Sequence, residues 1–169
     1  MSKRLHTVGI FCGLLASLFA QAVAESAATT PPTPIDASLL IGTWHCSFER
    51  NSDQQSIVVT SVDTYLADGT SHSESKLMLQ LHPFNLDAHY DLKILATWQL
   101  QDGNVLSEAI TAVPHFETSN PPLEKLISLK QELLDGKAER STILQLDAHT
   151  AVFQSLGDDQ TEQQVSCSR

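Results

Sequence analysis

The chain has 169 residues, 41% of them hydrophobic, with 10 Lys and Arg against 20 Asp and Glu and a net charge of −10. That length suits one domain with a real core. The acidic balance excludes the electrostatic footprint of a nucleic-acid binder and repels anionic membranes, and carboxylates scattered without an acidic run read as solubility rather than as a site.

The first expected element is a secretory signal. Lys3 and Arg4 form a positive n-region, Val8 to Ala20 is apolar apart from Ser17, and Ala22-Val23-Ala24 has the small residues a signal peptidase needs. Residues 1–24 are therefore expected to be removed, the mature chain beginning at Glu25. A membrane anchor is the alternative, but the apolar run is shorter than the ~20 residues that span a bilayer. Cys12 follows the bulky Phe11 inside the apolar run, unlike an acylated cysteine. Export to the periplasm or the medium is the expected localisation. Losing this segment removes two cations, Lys3 and Arg4, and no acid. It also removes Cys12 and leaves Cys46 and Cys167 as the one pair able to bond in an oxidising compartment.

From Glu25 to Pro34 the sequence ESAATTPPTP is small, polar and proline-rich, so a disordered tether is expected, drawn here as residues 25–40 ahead of a β domain at 41–169. Short alternating runs then predict eight strands. The first spans Thr43 to Glu49, with Trp44, Cys46 and Phe48 on one face. Ser56 to Ala67 is the second, running into Asp68-Gly69, a two-residue hairpin signal. The third returns from Thr70 to His82, with Leu77, Leu79 and Leu81 on one face, and Pro83 ends it. In the fourth, Ala88 to Gln101, Tyr90, Leu92, Ile94, Ala96, Trp98 and Leu100 alternate with polar residues. Asp102-Gly103 turns the chain into the fifth, Asn104 to Val113.

After Pro114 the period changes. Asn120-Pro121-Pro122 is a helix start, Leu123, Leu126, Ile127, Leu133 and Leu134 form a stripe at helical spacing, and Gly136 fits the stop, which predicts one helix over Pro122 to Asp135. Strands resume at Glu139 to Leu146 and Thr150 to Leu156, turn at Gly157-Asp158-Asp159, and finish with Glu162 to Cys167. Eight hairpin-linked strands predict an all-β, antiparallel up-and-down barrel with a helix between strands five and six. A Cys46–Cys167 bond would bring the first and last strands together, as closure requires. A two-sheet sandwich could do the same.

At Gly42-Thr43-Trp44 the chain resembles the lipocalins, whose Gly-x-Trp signature puts a tryptophan at the closed end of the barrel. The layout from GTWHC through YLADGT and TWQLQDGNVLSE to SCSR is similar to small exported bacterial lipocalin-like (calycin-type) proteins. The resemblance implies an arginine packed over Trp44, with Arg169 and Arg140 as the candidates. It departs from the family's usual order in placing the helix after strand five rather than after strand eight.

Chemistry-bearing motifs are sparse. There is no Gly-x-Ser-x-Gly, no phosphate-cradling glycine loop and no His-Glu-x-x-His, and a bridged cysteine pair leaves no thiol nucleophile. No cofactor or enzyme activity is expected. His45, His72, His82, His89, His115 and His149 are scattered, and the best metal set, Asp87, His89 and Asp91, falls on the polar face of the fourth strand, which reads as a solvated exterior. Glu74 and Lys76 read as members of an outer charge pairing.

Two functions fit. One is a small-molecule carrier whose apolar inner face, with Tyr90, Leu92, Ile94 and Trp98, holds a hydrophobic ligand, while Trp44, Cys46 and Cys167 are structural. The other is a protein-interaction module, an envelope accessory factor or inhibitor, with a filled barrel. A monomer or weak dimer is expected, without nucleic acid and without membrane insertion after signal cleavage.

Overall fold

The computed structural model describes residues 35–156 and 162–169. The expected signal sequence, most of the expected tether and the turn expected at Gly157-Asp158-Asp159 lie outside the described residues. Eight antiparallel strands form one closed barrel in sequence order. They are β1 (Gly42–Asn51), β2 (Gln55–Tyr65), β3 (Thr70–Leu81), β4 (Leu86–Gln101), β5 (Val105–Thr118), β6 (Glu139–Leu146), β7 (Thr150–Leu156) and β8 (Glu162–Ser168). A helical segment lies between β5 and β6, as the sequence predicts. Among the described residues no helix is long and apolar enough to cross a membrane.

The Asp68-Gly69 hairpin is not a two-residue turn. The Gly69 N–H donates to the Leu66 carbonyl (3.2 Å) and the Leu66 N–H to the Thr70 carbonyl (2.9 Å), enclosing three residues with Gly69 at φ +82°. This is a type I turn followed by a left-handed glycine, the other common way to reverse a twisted ribbon. At Asp102-Gly103 both residues have positive φ, 50° and 84°, which the Asp-Gly pair tolerates.

β5 does not stop at Pro114. It continues to Thr118 because the pairing with β4 slips twice, between Lys93 and Leu95 and again at Ala96, with the extra residues on β5. A bulge frees the N–H position that proline cannot fill, so the strand absorbs Pro114 there. The Thr111 hydroxyl donates to the Leu95 carbonyl (3.1 Å) at the second slip.

The predicted helix is two: α1 (Pro121–Ile127) and α2 (Leu129–Asp135), broken at Ser128, which is left-handed at φ 56°. Asn120 caps α1 by accepting from the Leu123 N–H (3.1 Å), and its amide donates to the Asp87 carbonyl (2.9 Å), tying the helix start to β4. The break rotates the apolar stripe. Leu123, Ile127, Leu129 and Leu133 pack on the barrel, whereas Leu126 and Leu134, expected in that stripe, are exposed.

The barrel has a closed end and a helix-covered end, each with its own apolar cluster. Leu40, Trp44, Tyr65, Leu106 and Phe153 belong to the first, while Leu79, Ala88, Tyr90, Leu92 and Leu123 form the second beneath α1 and α2. The part of the tether from Ile35 onward is instead built into the closed end. The Ile35 N–H donates to the Gly103 carbonyl (2.8 Å), a short 3-10 turn spans Ala37–Leu39, and Leu40 is fully buried. Composition alone hid this, because Ile35, Leu39 and Leu40 supply the apolar surface that the preceding ten residues lack.

Closure occurs at a short seam. β1 and β8 share three registered pairs, His45 with Ser168, Cys46 with Cys167 and Ser47 with Ser166, whereas β1 and β2 share ten. Cys46 and Cys167 are disulfide-bonded at the middle pair. The β5–β6 seam is also short, with four pairs from Val105–Thr142 to Glu108–Glu139.

Candidate functional site

The barrel interior holds a cavity of about 660 Å³, within the ~300–1,000 Å³ of small-molecule sites. The period of two decides its lining. On β2, Val59, Ser61, Asp63 and Tyr65 point inward, and opposite them on β3 stand Leu77, Ser75, Ser73 and Ser71. Leu92, Ile94 and Ala96 of β4 continue the wall, and Ile110 and Glu108 of β5 follow. Leu129 and Leu133 of α2 line the helix-covered end, Lys137 follows in the wall, and Glu139 stands beside Glu108 across the β5–β6 pairing. The cavity is thus apolar along much of its length and polar toward Trp44, whose cross-strand neighbour is Asp63.

Two carboxylates define that polar end. The Ser61 hydroxyl donates to Asp63 Oδ2 (2.8 Å), and the Tyr65 hydroxyl donates to Glu108 Oε2 (3.3 Å). The Ser73 and Ser75 hydroxyls share a hydrogen bond (2.7 Å) beside them. Burial raises the Asp63 carboxyl above its ordinary value, against the hydrogen bonds from Ser73 and Ser61. Burial, then the charge of Asp63, push the Glu108 carboxyl up to about 7; Glu139 adds to the rise, and hydrogen bonds from Tyr65 and Ser71 oppose it. The Tyr65 hydroxyl is raised well above 10, first by burial and then by the charge of Glu108. Among the described residues neither Asp63 nor Glu108 has a lysine, arginine or histidine as ion-pair partner.

This arrangement has a measurable stability signature. A carboxyl at about 7 in the folded state and 4.5 in the unfolded chain keeps its proton longer when folded, so its penalty is absent below pH 4.5, grows toward pH 7 and is constant above. At 1.36 kcal/mol per pH unit the full penalty is about 3 kcal/mol, reduced where water enters the cavity. Glu108→Gln is therefore expected to be more stable than wild type by about 2–3 kcal/mol at pH 8 and no more stable at pH 4.5. Urea unfolding at the two pH values checks this; a difference independent of pH would mean that the carboxyl is not desolvated.

The inner-face residues expected from sequence separate. Leu92 and Ile94 line the cavity. Tyr90 is buried nearer the helices, edge-on to Phe116 at 5.7 Å, with its hydroxyl toward Thr118 and Glu124. Trp98 stands edge-on to Tyr65 at 5.7 Å and donates to the Leu66 and Thr70 carbonyls (3.1 and 3.0 Å), so it supports the polar end from behind. Asp63, Tyr65, Glu108 and the inner serines are absent from that expectation, although the alternation that puts Leu77, Leu79 and Leu81 on one face carries Ser75, Ser73 and Ser71 with them.

Below the cavity Trp44 is fully buried and donates from Nε1 to the Leu40 carbonyl (2.8 Å). The Arg169 guanidinium lies over its ring at 3.9 Å and donates to the Leu39, Leu40 and Ile41 carbonyls (2.8, 3.2 and 2.7 Å). Arg140, the other candidate, is engaged with Gln101 and Asp102. Gly42 has φ +122°, and a Cβ there would come within 3.3 Å of the Arg169 guanidinium, so the glycine serves both the turn and the arginine.

Outside, Asp87, His89 and Asp91 are exposed, with His89 Nε2 and Asp87 Oδ2 4.0 Å apart. Among the described residues no three His, Cys, Asp or Glu side chains are grouped to hold a metal ion. Glu74 pairs across the strands with Lys93 (2.8 Å). No protein-family model matches the chain, and no curated protein matches it in sequence, so the chemistry of the barrel interior is what a functional reading has to stand on.

Proposed function

We propose that the protein is an exported, lipocalin-like carrier or sensor that binds one small amphipathic molecule inside its barrel. The observation that carries this reading is the cavity of about 660 Å³, walled by Leu77, Leu92, Ile94 and their neighbours. Eight strands are just enough either to fill with side chains or to hold one small ligand, and this barrel leaves space. The interaction-module alternative rests on a filled barrel and loses that premise. Support for the lipocalin-like reading comes from Gly42, Trp44 and the Arg169 guanidinium stacked on it. Support for export comes from the signal-like first 24 residues and the Cys46–Cys167 bond.

Native mass spectrometry of protein purified from its own host tests both halves. The polypeptide mass is expected to start at Glu25, and a co-purifying small molecule is expected on it. Ile94→Trp, which puts a larger ring into the cavity wall, is expected to remove that adduct while keeping the far-UV spectrum of the barrel. An adduct that survives the substitution would place binding elsewhere, and a mass starting near Met1 would overturn export.

A further inference from the structure

The chemistry of the cavity's polar end narrows the guest. Asp63 and Glu108 sit inside the barrel with hydroxyl partners and, among the described residues, no basic side chain paired to either. A carboxylate out of water is stable only when neutralised or matched by opposite charge, and among the described residues neither carboxylate has an ion-pair partner. Ser61 and Tyr65 already spend their O–H groups on the two carboxylates, so what faces the cavity is acceptor-rich.

The rest of the lining has the same sign. Glu139 stands beside Glu108 across the β5–β6 pairing and Glu132 lies on α2, with Lys137 and His72 as the basic side chains in the wall. The chain as a whole carries −10. A negative interior reached through a negative mouth concentrates cations and turns away anions. Beyond the carboxylates Val59, Leu77 and Ile94 form a wall that a bare inorganic ion would leave unused.

We propose that the guest is an amphipathic amine, its ammonium head seated between Asp63 and Glu108 and its apolar body lying along Val59, Leu77 and Ile94 toward α2. The proposal rests on the barrel being a small-ligand site, and it sets a rank order of affinity. The amine gains a charge-assisted hydrogen bond that an alcohol of equal length lacks, and a fatty acid meets repulsion at the same place.

Isothermal titration at pH 8 with dodecylamine, dodecanol and dodecanoate, each below its aggregation limit, reads that order directly. Dodecylamine is expected to bind at least about tenfold tighter than dodecanol, with dodecanoate weakest. In the Asp63→Asn, Glu108→Gln double variant the amine should lose that advantage while dodecanol stays within about threefold of wild type. The double variant removes the buried charges rather than adding any, so it is expected to fold, and Glu108→Gln alone gives the same reading if Asp63→Asn does not. Equal amine and alcohol affinities, or an amine affinity unchanged in the variant, would overturn the amine assignment and leave an apolar barrel site standing. Binding of none of the three would overturn this inference and the carrier reading together.

Discussion

Trp44→Ala is expected to remove about 3–5 kcal/mol of stability, the usual cost of deleting a large aromatic side chain from a core. The reasons are specific to this site. Trp44 is fully buried in the cluster with Leu40, Tyr65 and Leu106, it donates to the Leu40 carbonyl, and its ring carries the Arg169 guanidinium. Alanine would leave a hole at the closed end, a Leu40 carbonyl with only Arg169 as donor and an arginine without its ring. A domain of this size commonly has only ~5–15 kcal/mol in hand, so the thermal midpoint should fall by several degrees or more. Differential scanning calorimetry decides it. A midpoint within a degree or two of wild type would mean that Trp44 does not plug the barrel.

The second large effect is expected from the disulfide. Opening the 121-residue loop between Cys46 and Cys167 should cost about 4–5 kcal/mol on the chain-entropy model, less to the extent that the reduced denatured chain stays compact. Here the location matters as much as the length. The bond is the middle of only three registered pairs joining β1 to β8, so without it the seam has little else to hold it. The Cys46→Ala, Cys167→Ala variant should therefore show a large loss in urea midpoint, with amide exchange fastest along β8 and the facing part of β1. Equal protection at that seam in oxidised wild type and variant would show that the backbone ladder closes the barrel unaided.

The architecture was readable because its signals are local. Alternation in β4, the Asp-Gly turns and the proline-led helix start each act over a few residues, and together they name a barrel with an inserted helix. What escaped was decided by partners distant in sequence. Pro114 reads as a strand end, yet the slip against Leu95 and Ala96 lets β5 pass through it. Ser128 gives no local warning of a left-handed break, which follows from docking Leu129 and Leu133 on the barrel. Asp63 and Glu108 lie 45 positions apart and come together only when β2 and β5 face each other across the lumen. The polar inner face of β3 was within reach of a strict period-two reading, because Ser71, Ser73 and Ser75 share parity with Leu77, but serines on an inner wall resemble an ordinary solvated face until closure is known.

The two short seams divide the wall into unequal halves. β1 to β5 are joined along most of their length, whereas the three-strand leaf β6 to β8 is attached by four pairs on one side and three on the other. The disulfide crosses the β1–β8 seam directly, whereas β5 and β6 are joined only through the longer α1–α2 segment, so the leaf is hung like a door, with the disulfide as its hinge pin and the β5–β6 edge as its latch. Local opening costs least where ladder hydrogen bonds are fewest and nothing covalent holds the strands. The last pair of that latch is Glu108 with Glu139, two acids facing each other at its edge. Ionisation of Glu108 above about pH 7 therefore sets two like charges against each other at that edge.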